Sequence, residues 1–469
     1  MRPRASGLKR RMRAVEAATA RRAAHRVLRN LHGGMLQLVE PGGEQSFGAT
    51  SSDLSARIDV HDLTAYAWAL RGSTGLGEGY FEGLWDVDDL VAMLRIAARN
   101  LAPFDRLRGR IHPVAGRVQR LASLVPRNTH AGARRHIAAH YDLGNRLFES
   151  FLDRQLVYSC AYFPQADATI DEAQEAKLER ICERLDLRPG HHLLEIGAGW
   201  GALAIHAARE HGCRVTTTTI SREQHAYATE CVRELGLESS ISVVLEDYRD
   251  LEGGYDRLVS VEMIEAVGWQ YFAEFFRRCS ALLRGDGLMV LQAIVIDDRL
   301  YEAEKTARTF ANKHVFPGGC LPSQRLIADL TADATDMRAV WVDDISAHYA
   351  RTLELWRERF ETAWPGLRGH GYDERFRRLW RFYLASSEAG FRERRIRDLQ
   401  LALAKPGWRG DEQAARGGGE DAMKTPLFAG LSSIGPYRLG TVLAPPARQR
   451  YGGAALPGCG RSTTALNLS

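Results

Sequence analysis

The segment Leu193-Leu-Glu-Ile-Gly-Ala-Gly-Trp-Gly201 runs from an apolar stretch through an acid into three glycines at alternate positions. This pattern describes a strand that turns sharply into a helix, here Ala202-Leu-Ala-Ile-His-Ala-Ala208. Glycine supplies backbone angles that other residues resist, and it lets a bound molecule approach the main chain where a Cβ would obstruct it. By itself the segment reads equally well as a cofactor turn or as a plain strand-to-helix junction. Its surroundings add to the argument. Strand-like runs at 193–196, 214–220, 241–245, 255–261 and 288–293 alternate with helical segments, including 221–235 and 271–283. Alternation of this kind predicts an α/β, Rossmann-like doubly wound sheet, which binds ligands at the carboxyl ends of its strands. Glu195, Thr219, Asp247, Glu262 and Gln292 then fall along one edge of the sheet.

With 469 residues, 45% hydrophobic and 26% charged, the chain has room for two or three domains and a large core. No uninterrupted apolar run approaches the ~20 residues of a spanning helix. The N-terminus lacks the apolar core of a signal peptide, so a cytoplasmic location is expected. Cys160, Cys182, Cys213, Cys231, Cys279, Cys320 and Cys459 are scattered without CxxC pairing. Reduced thiols are expected, with no metal site.

The net charge of +5 is unevenly spread. A basic arm, residues 1–30, carries Arg2, Arg4, Lys9, Arg10, Arg11, Arg13, Arg21, Arg22, Arg26 and Arg29 against the single acid Glu16. It suits an anionic surface, lipid or nucleic acid, and it equally suits a solvated leader. Nothing downstream reads as a nucleic-acid module, so lipid is the favoured partner and no nucleic acid is expected. Residues 31–127 read as a small N-terminal domain. In it, Gly75-Leu-Gly-Glu-Gly-Tyr-Phe-Glu-Gly-Leu-Trp-Asp86 predicts a compact turn packed by Tyr80, Phe81 and Trp85 against a helix over 88–95. Arg106, Arg108, Arg110, Arg117, Arg120 and Arg127 mark a surface linker. Residues 128–408 hold the alternating pattern, and 409–469 form a low-complexity tail without usable periodicity.

The spacing Glu195-x-Gly197-x-Gly199-x-Gly201 differs from the dinucleotide fingerprint and resembles the first motif of class I S-adenosyl-L-methionine (SAM) methyltransferases. More segments fall in order around it: His140-Tyr-Asp-Leu-Gly-Asn145, Leu156-Val-Tyr-Ser-Cys-Ala-Tyr-Phe163, Val261-Glu-Met-Ile-Glu-Ala-Val-Gly268 and Phe316-Pro-Gly-Gly319. Together they closely resemble the cyclopropane-fatty-acyl-phospholipid synthase family, which includes mycolic acid cyclopropane synthases and fatty-acid C-methyltransferases. The resemblance runs from about Gly75 to Gly407. It implies methyl or methylene transfer from SAM to the double bond of an unsaturated acyl chain, on a phospholipid membrane surface. That places the protein peripherally on the inner membrane surface, and a homo-oligomer stays open.

The resemblance also implies site residues. Gly197, Gly199 and Gly201 form the cofactor turn beside Glu195, and Tyr158 with Ser159 covers the cofactor. Thr219, Ile220 and Gln224 stand where many methyltransferases use an acid for the ribose, and Asp247 and Tyr248 meet the adenine. Alkene attack on the methyl group leaves a carbocation that must be shielded from water and then lose a proton. Tyr158, Tyr162, Phe163 and Tyr271 are candidate walls, the last two being better read as core. In the family the base is a bicarbonate ion held by a cysteine region, a glutamate, a histidine and a tyrosine. Cys160, Glu265 and Tyr349 match three of these, while Gln292 stands where the histidine is expected. Glutamine can hold an anion through its amide but cannot take up a proton as imidazole does, which favours a methylene- or methyl-branched product over a cyclopropane. Glu262 reads as a residue that fixes the local backbone, and His314 as structural. Methylation of a soluble small molecule, or an inactive lipid- or SAM-binding protein, are the competing functions.

Overall fold

A computed structural model describes residues 4–101, 128–129, 132 and 144–410. Most of the predicted linker, the His140 to Leu143 part of one motif and nearly all of the 409–469 tail therefore lie outside the described residues. Residues 1–408 form one compact unit and 409–469 another.

The alternation does produce a seven-stranded sheet, numbered here among the eleven strands of the described residues. The first four, β1 (Met35–Glu40), β2 (Gly43–Gly48), β3 (Ser55–Val60) and β4 (Trp85–Val87), make a separate sheet in the order β2-β1-β3-β4. The larger sheet takes β5 (His192–Ile196), β6 (Arg214–Thr219), β7 (Ile241–Leu245), β8 (Tyr255–Val261), β9 (Leu283–Ile296), β10 (Arg338–Asp344) and β11 (Ile396–Ala404). Its order is β10-β11-β9-β8-β5-β6-β7, with β9-β11 and β11-β10 antiparallel and the other pairs parallel. The strand order reverses direction beside β5, between β6 and β8, and at such a switch point the loops part and leave a crevice. Gly197 to Gly201 follow β5 there.

Local chemistry explains the helices around this sheet. Helix Ile170–Arg184 starts with a capping box between Thr169 and Glu172. Ser221 caps Arg222–Glu234, and Ser323, the expected cap, accepts from the Leu326 amide at the start of Gln324–Ala334. The helix expected over 271–283 is found at Phe272–Leu282, and two short 3-10 turns, Ile264–Ala266 and Trp269–Tyr271, precede it.

One local expectation is corrected. The glycine-rich segment is a helix, Ser73–Phe81, followed by β4, and not a turn. Its glycines allow close packing: a Cβ on Gly77 would lie 2.5 Å from the Phe310 ring and 2.7 Å from that of Phe382. Phe382 belongs to the helix Glu374–Arg392, which also packs on Leu90–Arg99. The guanidinium groups of Arg95 and Arg99 reach Glu393 at 2.7 and 2.9 Å. One aromatic core thus runs from Tyr80 and Trp85 through Phe382 and Trp380 to Phe148 and Trp356.

Gly77→Ala is expected to lower stability by about 1–3 kcal/mol, because the new methyl must displace two buried rings. Gly366→Ala, in the helix Ser346–Arg368 with open space around its would-be Cβ, should lose none and gain up to ~1 kcal/mol. Denaturant unfolding of both variants checks this.

Candidate active site

All three turn glycines have the left-handed backbone that disfavours a side chain: φ is +101° at Gly197, +52° at Gly199 and +95° at Gly201. The amides of Gly197 and Ala198 both donate to Thr218 O, at 3.0 and 2.8 Å, and fix the turn to the end of β6. A Cβ on Gly197 would press Met263 and one on Gly201 would press Ala228, both at 3.1 Å. A Cβ on Gly199 would meet nothing within 4 Å. That open space belongs to a cavity of about 1180 Å³, its mouth included. Tyr158, Ser159, Glu195, Gly197, Gly199, Thr219, Ile220, Gln224, Asp247 and Tyr248 all line it, so every expected cofactor contact except Gly201 faces one space.

The polar groups of the cavity are held in place. Glu195 is buried and accepts from Thr217 Oγ1 at 2.5 Å; burial pushes its carboxyl up to about 8. Thr219 Oγ1 lies 2.9 Å from Gln224 Oε1 and donates to it. Asp247 is gripped through both oxygens by Arg249, at 2.8 and 2.6 Å. Arg249 and Asn128, neither singled out in the sequence, also line the cavity. Tyr248 keeps a buried hydroxyl with no partner among the described residues. Cradle, buried acids and amide fit a zwitterionic adenosyl amino acid such as SAM.

Behind the cavity lies a second constellation, and its centre is Glu262. Cys160 N and Gln292 Nε2 donate to Glu262 Oε1 at 2.8 and 2.7 Å, and Tyr349 OH donates to Oε2 at 2.6 Å. The other Gln292 amide hydrogen goes to Asp398 Oδ2 at 3.0 Å, while Gln292 Oε1 accepts from Gln400 Nε2 at 3.0 Å. Gln400 Oε1 in turn accepts from Arg180 Nε at 3.0 Å. The amide of Gln292 is therefore saturated and its orientation fixed. Glu262 and Lys177 line the cavity, and Lys177 Nζ donates to Ser159 Oγ at 2.8 Å.

Cys160, Gln292 and Tyr349 thus come together as expected, but around Glu262. Glu265 stands aside: its Oε1 accepts from the Ile294 amide and its Oε2 is buried without a partner among the described residues. Desolvation, then the neighbouring Glu262, pushes Glu265 up to about 8. Desolvation also raises Glu262 and Asp398, and the charge of Glu262 raises Asp398 further. Desolvation likewise raises Cys160 far above the usual thiol range, so this cysteine is a neutral thiol and its main-chain N–H is the working group. The donors that would hold a bicarbonate ion are already bound to Glu262, and such an ion does not fit this set.

Other expectations resolve by position. Tyr158 bonds Tyr383 through their hydroxyls at 2.9 Å, and its ring lies 5.3 Å from those of Phe148 and Trp356. Tyr162 and Phe163 pack instead on His348, and Tyr271 lies against Arg249. His314 Nε2 contacts Glu78 at 2.9 Å, beside the Phe81 and Phe310 rings, a structural setting. Cys182, His206 and His211 bring ligating atoms within 4.8 Å of one another, and Glu179 pairs with both imidazoles. Lys177, Asp398 and Gln400 were not singled out from the sequence. Asp398 and Gln400 carried a signal, two polar residues at alternate positions in the otherwise apolar run Asp398-Leu-Gln-Leu-Ala-Leu-Ala404.

Sheet order and glycine turn define a class I SAM methyltransferase. The family described as mycolic acid cyclopropane synthetase matches residues 128–401, and the chain belongs to it. Tuberculostearic acid methyltransferase UfaA1 of Mycobacterium tuberculosis is 37% identical over 402 residues, 84% of this chain and 92% of its own. Cyclopropane-fatty-acyl-phospholipid synthase of Escherichia coli is 38% identical over 344 residues, 71% of this chain and 84% of its own. The solved cyclopropane synthase MmaA2 from Mycobacterium tuberculosis superposes with a TM-score of 0.55 at 30% identity, covering 60% of this chain and 99% of that one. The mycolic acid cyclopropane synthase CmaA1, complexed with SAH and CTAB, gives 0.55 at 29%, covering 58% and 98%. The protein is a SAM-dependent C-methyltransferase.

Glu265 gives a stability test. Its folded value of about 8 lies above the ordinary 4.5, so between those pH values the folded state binds more protons than the unfolded state, and stability falls as pH rises. Glu265→Gln, which keeps an acceptor for the Ile294 amide and needs no proton, should gain stability relative to the parent from pH 5 to pH 8. Paired denaturant titrations across that range measure the difference, and a constant gap would remove Glu265 as the source.

Proposed function

We propose that this enzyme methylates the double bond of an unsaturated fatty acyl chain of a phospholipid, through a cation on that chain, and yields a branched product in preference to a cyclopropane. SAM supplies, when bound, an electrophilic methyl group that alkene π electrons can take without prior loss of a proton. The task left to the protein is to tolerate the resulting cation, exclude water and remove one proton. The observation that carries the proposal is the acid-rich cluster of Glu262, Glu265 and Asp398 beside the cofactor turn, against Lys177 as its nearby cation. A carboxylate charge on Glu262, held at low exposure, favours a sulfonium and a developing carbocation. The Tyr158 ring, flanked by Phe148 and Trp356, adds a face worth roughly 0.5–2 kcal/mol to a nearby cation. Relatives named for fatty acids and phospholipids support the acyl acceptor. Gln292, saturated as an amide, has no basic nitrogen to offer, which supports proton loss after a hydride shift.

Purified protein incubated with SAM and oleoyl phospholipid vesicles should convert the oleoyl chain to a product heavier by one CH2, with chromatography and mass spectrometry locating the carbon as a methylene branch. A ring would overturn the branched reading, and absence of any gain would overturn the acyl acceptor.

Peripheral attachment to an anionic bilayer is part of the same proposal. Helix Arg4–Leu28 buries Ala17, Ala20 and His25 and exposes Arg22 and Arg26 on its other side, with Arg29 exposed just past its end. Among the described residues no helix is long and apolar enough to cross a membrane. A surface arginine near anionic lipid contributes about 1 kcal/mol. Arg22→Glu, Arg26→Glu and Arg29→Glu together should weaken sedimentation with phosphatidylglycerol vesicles at least roughly tenfold. Unchanged binding would detach this helix from the membrane role.

A further inference from the structure

We infer that Glu262 is the built-in base of this site: its carboxylate fills the place of a separate anion and accepts the proton lost from the acyl chain. The inference rests on the acyl-methylation reading for the identity of that proton.

Three observations converge. Donors from three separate elements meet on one carboxylate: the Cys160 amide before helix Ile170–Arg184, Gln292 on β9 and Tyr349 on helix Ser346–Arg368. A carboxylate offers about four acceptor positions, and these donors occupy two on Oε1 and one on Oε2. Glu262 also lines the cavity that contains the glycine turn, whereas Glu265 does not. Finally, Glu262 has φ +48° at the end of β8, a left-handed backbone that costs a non-glycine residue about 1–2 kcal/mol. Glycine would sit there without strain. A side chain held against strain, with every donor aimed at its charge, points to a use for that charge.

The proton balance is simple. A C–H bond of the transferred methyl group breaks; its electron pair closes onto the cationic carbon as the new C–C bond of a ring or, once a hydride shift has moved the cation to the methylated carbon, forms the C=C bond of a methylene branch, and the proton passes to Glu262. Asp398, linked to Glu262 through Gln292 Nε2, shares the charge. Asp398 acts through Glu262 and is a positioning residue.

Glu262→Gly and Glu262→Gln separate the possibilities. The glycine variant relieves the strained backbone and should fold. It frees the Cys160 amide, the Tyr349 hydroxyl and the Gln292 amide for a diffusible anion. Turnover on oleoyl phosphatidylglycerol vesicles is measured in CO2-depleted buffer with and without added bicarbonate. SAM affinity is followed by calorimetry, and 13C-bicarbonate binding by NMR line width. The parent should change less than about twofold with bicarbonate, and Glu262→Gln should lose roughly 100-fold or more in turnover with SAM affinity kept. Glu262→Gly should lose as much in CO2-depleted buffer, regain at least about tenfold with bicarbonate, and broaden the 13C line where the parent does not. A parent that needs bicarbonate, or a Glu262→Gln variant with parental turnover, overturns the inference. If the parent binds SAM yet methylates no acyl chain, the acyl reading fails by itself. The 13C comparison then still decides the carboxylate's place, and broadening by the parent overturns it.

Discussion

Burial of carboxylates is the constraint around which this site is arranged. An ionised carboxyl removed from water is unstable unless it is paired, hydrogen-bonded or protonated. Here Glu262, Glu265 and Asp398 lie together with Lys177 as the nearby cation, and burial depresses the affinity of that lysine for its proton. Protonation of Glu265 meets part of the demand for neutralisation, and the rest falls on hydrogen bonds. The route Arg180, Gln400, Gln292 meets it by carrying polarity from a guanidinium to two carboxyl groups. Its members come from helix Ile170–Arg184, β11 and β9, which makes sheet register a condition of the chemistry. Gln400 sits directly opposite Gln292 in the antiparallel β9-β11 pair. A slip of one residue would turn both amides to the other face and leave the acids unsatisfied.

The hydrogen-bonded charge of Glu262 is useful once a cation arrives. A sulfonium beside the glycine turn and a cation on an acyl chain are both drawn to it. Because charges interact more strongly where water is sparse, that complementarity is worth more here than on a surface. The neutral Cys160 thiol fits this account, since a thiolate would compete as a nucleophile for an electrophilic methyl group. Its main-chain amide serves Glu262, and its sulfur lies 3.2 Å from Ala161 O and 3.8 Å from Ile345 O.

Much of the sheet was legible because its signals are local. The glycine turn, the apolar runs and the Ser221 and Ser323 caps all act within a few residues. The glycine-rich segment misled because its glycines serve tertiary approach: Gly77 is small to admit Phe310 and Phe382, which lie more than two hundred residues away in the chain. The cofactor residues were legible too, since strand ends on one sheet edge converge by construction. The acid cluster was not. Lys177, Asp398 and Gln400 gain meaning only when β11 lies against β9 and helix Ile170–Arg184 lies beneath the cavity, and no local pattern encodes that meeting.

Glu262 and Glu265 show where motif matching and geometry part. Three residues of helix would place both carboxyl groups on one face, and the choice between them would then rest on resemblance. The chain does not form that helix. Glu262 follows β8 with a left-handed backbone, its amide donating to Gln292 O at 2.8 Å, and the 3-10 turn begins only at Ile264. This kink turns Glu262 toward Cys160, Gln292 and Tyr349, while Glu265 is directed at the Ile294 amide. A single backbone angle therefore decides which of two neighbouring glutamates meets the cavity, and residue identity alone carries no record of it.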